Sequence, residues 1–170
     1  RMTQLNPEIV IEPHQTRLAA ENALEIMAGY DIVVDGTDNF ATRYLINDAS
    51  LHLLMPVGPG SVLRCEGQVA VCRPCEAGCY RCLFPRPPPA DVARNCPDAG
   101  VGGVVRGVVG TMQATEVLKL ILGIGEPLLG KLLTYDALEQ STHVMRLQRR
   151  ADCAACSGKP PELRSEAEYC

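Results

Sequence analysis

A mixed α/β sheet is the fold this sequence predicts, on three observations. Strand-like and helix-like stretches alternate at first, and strands then pair late in the chain, the pattern of a sheet with both parallel and antiparallel members. A β-branched run, "DIVVD" at 31–35, has the character of a buried strand. A proline- and glycine-rich stretch at 84–103 separates two regular halves, a long irregular crossover of the kind that often carries function. Taken in order, "EIVIE" at 8–12 predicts a strand and "TRLAAENALEIMA" at 16–28 a helix. "DIVVD" is followed by "GTDN" and a helix from Phe40 to about Leu54. Pro56–Leu63 and Glu66–Cys72 predict two further strands. After the crossover, Gly107–Leu122 predicts a helix with Met112, Val117, Leu118 and Ile121 on or near one face, and "LLTYDA" and "HVMRLQ" predict a final pair of strands.

The chain has 170 residues, the size of one domain, with 46% apolar and 21% charged residues, a normal globular balance. Net charge is −4, and the densest basic stretch is "RLQRR" at 146–150, so a nucleic-acid role is not expected. No apolar run reaches the length of a membrane span, and no secretory signal is visible. There are nine cysteines, six of them in three C-x2-C pairs: Cys72/Cys75, Cys79/Cys82 and Cys153/Cys156. In a chain without a signal, that spacing points to a metal in a reducing, cytoplasmic compartment rather than to disulfides.

Three groups of residues carry candidate chemistry. "DIVVDGTDN" ends a buried strand in carboxylates, at the sheet edge where open α/β sheets bind ligands. Asp38 is placed to hold Mg2+ beside a nucleotide phosphate; equally, Thr37, Asp38 or Asn39 is placed to cap the next helix. The cysteine pairs fit Zn2+, which takes four thiolates in a tetrahedron and then has no open position, so the metal would be structural. The spacing does not say which two of the three pairs share the ion. Cys96, in "RNCPDAGV", is a nucleophile if Arg94 or the start of the following helix stabilises its thiolate, and otherwise an ordinary loop thiol. Neither glycine-rich phosphate-binding pattern occurs: "GVGGVV" and "GPGSVL" fit neither.

"VVDGTDNFATRYLINDA", "EGQ", "CYRCLFP", "NCPDAGV", "GVVGTMQATEVLKLILG", "LLTYDAL" and "CAAC" together resemble, in order and spacing, the ubiquitin-activating-enzyme-like adenylyltransferases of the MoeB/ThiF family. The resemblance covers roughly residues 1–158. "RPPPADVARNC" and "RADCAACSGKPP" are closest to the eukaryotic branch that combines an adenylyltransferase with a sulfurtransferase in molybdenum-cofactor synthesis and tRNA thiolation. The resemblance implies the C-terminal part of a Rossmann-like sheet, and adenylation by ATP and Mg2+ of the C-terminal Gly-Gly of a ubiquitin-like sulfur-carrier protein, on the way to a thiocarboxylate. It implies Asp38 and Asn39 in the nucleotide site, and Cys79, Cys82, Cys153 and Cys156 as zinc ligands. It implies Cys96 as the cysteine that accepts the activated carboxylate or a persulfide-linked intermediate, and a homodimer in the intact enzyme.

Two departures qualify it. Cys65 and the Cys72/Cys75 pair are extra to the pattern, and are expected to exchange with the zinc ligands under oxidation. The family's glycine-rich loop, phosphate-contacting arginine and lysine lie upstream of Arg1, so residues 1–158 are expected to be a partial domain and 159–170 a linker toward a rhodanese domain. Adenylation depends on positioning and neutralising the triphosphate, so the chain by itself is expected to adenylate poorly. The alternative is a zinc-stapled module that binds the ubiquitin-like partner or dimerises without catalysis.

Overall fold

The computed structural model describes residues 1–74, 76–88 and 100–164. Five strands form one mixed sheet in the order β1 (Val33–Asp35), β2 (Val57–Leu63), β3 (Glu66–Ala70), β4 (Lys131–Asp136) and β5 (Ser141–Arg146). β1 and β2 are parallel, joined by the crossover helix α3 (Phe40–Leu53), and every other pair is antiparallel. Ahead of β1 lie two short helices, α1 (Met2–Leu5) and α2 (Ala23–Met27). Between β3 and β4 come α4 (Tyr80–Leu83) and the twenty-residue α5 (Gly103–Leu122).

The sheet is covered on two faces, and period-two alternation along β2 and β3 decides which residue meets which layer. Gly60, Val62, Gly67 and Val69 point toward α5, where Val105 and Val109 pack on Val69. Val57 points the other way and joins Tyr44, Leu45, Ala49 of α3 and Ala23, Met27 of α2 in the largest core cluster. α3 starts where Asn39 accepts a bond from the Thr42 amide at 2.8 Å, an N-cap.

Four expectations need correction. Residues 8–12 form no strand; Val10 is 86% exposed, and no neighbouring strand supplies ladder partners among the described residues. The helix expected over 16–28 is confined to Ala23–Met27. Asn22 is the reason: its side chain accepts from the Ala19 amide and donates to the Arg17 carbonyl, folding the preceding residues into turns instead. The expected apolar face of the last helix is not the buried one. Leu118 and Ile121 are exposed, whereas Val105, Val109, Gln113 and Glu116 face the protein. Two of those four are polar because they bond backbone groups. Gln113 donates to the carbonyls of Asp35 and Gly58 (2.9 and 2.8 Å), and Glu116 accepts from the Leu128 amide (2.7 Å). Finally, α5 begins at Gly103 rather than Gly107, running through Gly107 and Gly110 without a break.

Candidate functional site

Two sites meet at one short helix. The first is a group of four sulfurs. Cys79 and Cys82 flank the first turn of α4, and Cys153 and Cys156 sit on the turn that follows β5. The sulfurs of Cys79 and Cys153 are 3.7 Å apart, those of Cys82 and Cys156 3.4 Å, and those of Cys79 and Cys82 3.9 Å. A disulfide would need about 2.05 Å. Tetrahedral coordination with bonds of about 2.3 Å puts sulfurs about 3.8 Å apart. All four sulfurs lie within 4.8 Å of one another, so the donor set fits a metal centre of four thiolates. A metal held there would have four protein ligands and no open position, and so would be structural.

The surroundings support that role. A Cβ on Gly78 would meet Cys82 Cβ at 3.3 Å and the Gln148 carbonyl at 3.4 Å, a tight fit that favours glycine where the two turns converge. The Arg150 amide donates to the Cys82 sulfur at 3.5 Å. Burial and the neighbouring thiols hold Cys79 far above the usual thiol range, and burial pushes Cys156 up to about 11. Cys153 goes the other way: burial opposes its ionisation, but the amides of Cys156 and Ala155 donate to its sulfur and outweigh that. Cys153 is thus biased toward the thiolate, whereas Cys79 and Cys156 favour it only where a cation compensates the charge.

Cys72 lies outside this group. It ends the β3 segment, exchanging backbone hydrogen bonds with Val57 at 2.8 Å, and its buried thiol is pushed up to about 12 by desolvation first and the thiols of Cys82 and Cys156 second. Among the described residues, the sulfurs that come together are those of Cys79, Cys82, Cys153 and Cys156. Cys75 and Cys96 lie outside the described residues, as does most of the crossover that carries Cys96.

The second site is a cleft of about 480 Å³ on the α3 side of the sheet. Asp38, Asn39, Phe40 and Arg43 form one wall, Pro59, Ser61, Gln68 and Ala70 its sheet floor, and Tyr80, Leu83 and Phe84 of the α4 turn the opposite wall. Asp38 is exposed at the C-terminal end of β1, where its carboxylate is free to meet a ligand. Asn39 is occupied as the N-cap of α3, so its side chain is a positioning group for that loop. Asp35, 2% exposed, holds the loop from below by accepting from the Thr37 amide (2.9 Å) and hydroxyl (2.7 Å).

The sequence reading missed Arg43. It is buried and donates to the carbonyls of Thr37 and Gly60 (3.0 Å to Gly60), which places a guanidinium at the charged end of the cleft. Its signal in the sequence was weak: one arginine in a helix, with no motif around it to mark it. Also missed was a second buried charge. Asp48, 0% exposed, accepts from Arg81 Nε and a terminal nitrogen at 2.8 and 2.7 Å, across 33 residues. Removing either partner strands a buried charge at a cost of about 3–5 kcal/mol.

Known proteins match on both sequence and shape. The ThiF family pattern matches residues 1–155. A sulfur carrier protein adenylyltransferase of Thermus thermophilus is 48% identical over 174 residues, covering 99% of this chain and 64% of that protein. The adenylyltransferase and sulfurtransferase MOCS3 of Culex quinquefasciatus is 48% identical over 160 residues, covering 94% of this chain and 36% of that protein. MOCS3 of Xenopus laevis is 44% identical, covering 99% of this chain and 37% of that protein. The chain thus spans less than two thirds of the length of these curated relatives. The crystal structure of E. coli MccB with MccA-N7isoASN superposes with a TM-score of 0.77 at 19% identity, covering 92% of this chain and 49% of that one, which is a likeness of fold. With a family pattern over nearly its whole length, the mixed sheet of that fold and the ordered "TDN", "CYRC" and "CAAC" motifs, the chain belongs to the ThiF family.

Proposed function

We propose that this chain carries the acceptor cleft of an enzyme that activates the C-terminal Gly-Gly carboxylate of a ubiquitin-like sulfur-carrier protein with ATP. The observation that carries the reading is the cleft itself, with a free carboxylate and a buried arginine at one end and an apolar, aromatic wall at the other. An extended, side-chain-poor tail fits such a groove, and the relatives named above are adenylyltransferases of sulfur carriers. In the reaction, a terminal carboxylate oxygen forms a bond to the α-phosphorus as the α–β phosphoanhydride bond breaks and pyrophosphate leaves. Arg43 would orient the negative groups, and Asp38 would hold Mg2+, which neutralises triphosphate charge when bound. The Cys96 thiolate, or a persulfide carried on it, would then attack the acyl carbon as the bond to the adenylate oxygen breaks and AMP leaves, on the way to the thiocarboxylate. Zn2+ is the metal whose ligand preference fits Cys79, Cys82, Cys153 and Cys156.

One observation favours a second reading, in which the chain docks its partner without catalysis. The cleft is lined by a single carboxylate and two arginines, Arg43 and Arg106, with no lysine among its described lining residues, and the "GVGGVV" stretch that opens α5 beside it fits neither glycine-rich phosphate-binding pattern. The exposed Val104, Leu118, Ile121 and Leu122 of α5 offer a face for a second copy in an assembled enzyme. No helix among the described residues is long and apolar enough to cross a membrane, and a cytoplasmic site of action fits the reduced cysteines.

The test is ATP–pyrophosphate exchange with the 170-residue chain, Mg2+ and a ubiquitin-like protein ending in Gly-Gly. Exchange in the parent chain and none in Asp38→Ala supports adenylation. No exchange, with the partner bound and its binding lost when Gly-Gly is removed, supports docking alone. Neither exchange nor binding refutes both readings.

A further inference from the structure

Helix α4 is four residues long and serves two sites at once. Its flanking cysteines face the metal group, while Tyr80, Leu83 and Phe84 wall the cleft. A helix this short has no stability of its own, so its position comes from what it is fastened to. Three residues of α3 fasten it at three points. Asn47 accepts from the Tyr80 amide at 2.8 Å, at the start of the turn. Asp48 takes the two-pronged bond from Arg81 at its middle. The Tyr44 hydroxyl donates to the Phe84 carbonyl at 2.9 Å, at its end.

Positions 44, 47 and 48 lie three and four apart, on one face of α3. Aromatic contacts fill the joint. The Tyr44 and Tyr80 rings meet edge to face at 5.3 Å, those of Tyr80 and Phe84 lie tilted at 5.1 Å, and the Arg81 guanidinium stacks 4.7 Å from the Tyr44 centroid. The same helix α3 opens at Asn39, directly after Asp38. A single rigid rod therefore holds the Asp38 loop at its tip and the α4 wall along its side.

We propose that Tyr44, Asn47, Asp48 and Arg81 form a positioning latch that couples the metal centre to the Asp38 end of the cleft. The metal fixes Cys79 and Cys82, the latch passes that constraint to α3, and α3 sets the loop carrying Asp38. None of the four touches the reacting atoms. The coupling is reciprocal, so loosening the latch weakens the hold on the metal. The proposal rests on the zinc reading of the cysteine group and not on adenylation.

The experiment uses the zinc-loaded 170-residue chain without nucleotide or partner. Zinc stoichiometry is measured first, then the rate of zinc transfer to a chromophoric chelator, and then hydrogen exchange before and after chelation. Parent, Tyr44→Phe and Asp48→Asn chains are compared. Tyr44→Phe keeps the ring and removes the hydroxyl that bonds Phe84, so it tests the latch even if Asp48→Asn fails to fold. In the parent, chelation is expected to speed exchange both at residues 79–84 and at residues 36–43. In the variants, zinc leaves about tenfold faster, the usual size for groups that orient metal ligands, and chelation no longer changes residues 36–43. Tyr44→Phe is expected to lower the melting temperature by only a few degrees, roughly the loss of one hydrogen bond, while residues 36–43 lose their response to chelation, which separates a latch from general stability. A parent chain that binds no zinc overturns the metal reading and the latch together. One zinc per chain, with release rates equal in all variants or with residues 36–43 blind to chelation in the parent, overturns the latch alone.

Discussion

Chelating the metal should lower the melting temperature by about 10 °C, and the figure follows from the topology of the cysteine group. Cys79 and Cys153 are 74 residues apart, as are Cys82 and Cys156, so the ion closes a loop that contains α5, β4 and β5. Treated as a cross-link, a loop of that length removes chain entropy worth about 4 kcal/mol from the unfolded state. For a domain of this size each kcal/mol moves the melting temperature by roughly 2–4 °C, which gives about 8–16 °C. The sign of the pH dependence follows from the thiols. Burial raises Cys79 and Cys156 in the metal-free protein, so protons compete with the ion and the staple loosens as pH falls. The assay is calorimetry of the zinc-loaded protein at neutral pH with and without chelator, with released zinc counted. A shift below about 3 °C with one zinc released per chain would refute the argument, because the loop would then be held by something other than the metal.

Three further outcomes are expected. Asp38→Ala should cut pyrophosphate exchange by about 100-fold or more while changing folding stability by less than about 0.5 kcal/mol, since the side chain is exposed; equal loss of stability and exchange would count against its role. Gly60→Ala should destabilise by about 1–3 kcal/mol, because a Cβ there would stand 2.3–2.5 Å from the Gln113 amide that is pinned to two carbonyls. In urea melts the same change should cost less in a Gln113→Ala background, and strict additivity would be evidence against the clash. Burial lifts the Cys72 thiol from 9.0 up to about 12, so the folded state keeps it neutral where the unfolded chain ionises it. Its contribution is whole below pH 9 and falls toward pH 12, by up to about 4 kcal/mol; Cys72→Ala should flatten that alkaline limb, and an unchanged slope would show that another group sets it.

How much could be read from the sequence depends on the range of each interaction. α3, the β2–β3 hairpin and the β4–β5 hairpin were legible because their determinants are local: a cap such as Asn39 three residues before Thr42, and β-branched runs broken by short turns. The stretch at 8–12 misled because β-propensity describes a fit to neighbours, and none is there among the described residues. The helix at 16–28 misled because one side chain, Asn22, competed with the backbone. The face of α5 misled for a different reason. Apolar spacing marks a helix face only when burial is apolar, and Gln113 and Glu116 are buried to satisfy backbone groups.

The candidate site shows the same division more sharply. Cys79 and Cys82, or Cys153 and Cys156, suggest a metal by a spacing of three residues, but which pairs converge is decided across 74 residues, and spacing alone left that open where the family resemblance named the pairs. Arg81 and Asp48 have no motif at all: one lies inside "CYRC" and the other inside "LINDA", and only the docking of α4 on α3 makes them a pair. The "CYRC" signature therefore carries more than its sulfurs. The two residues between its cysteines are usually treated as spacer, since the metal needs only the thiolates. Here Tyr80 supplies cleft wall and Arg81 the tie to α3. Substituting them would leave the four thiols in place, and would still be expected to disturb the cleft.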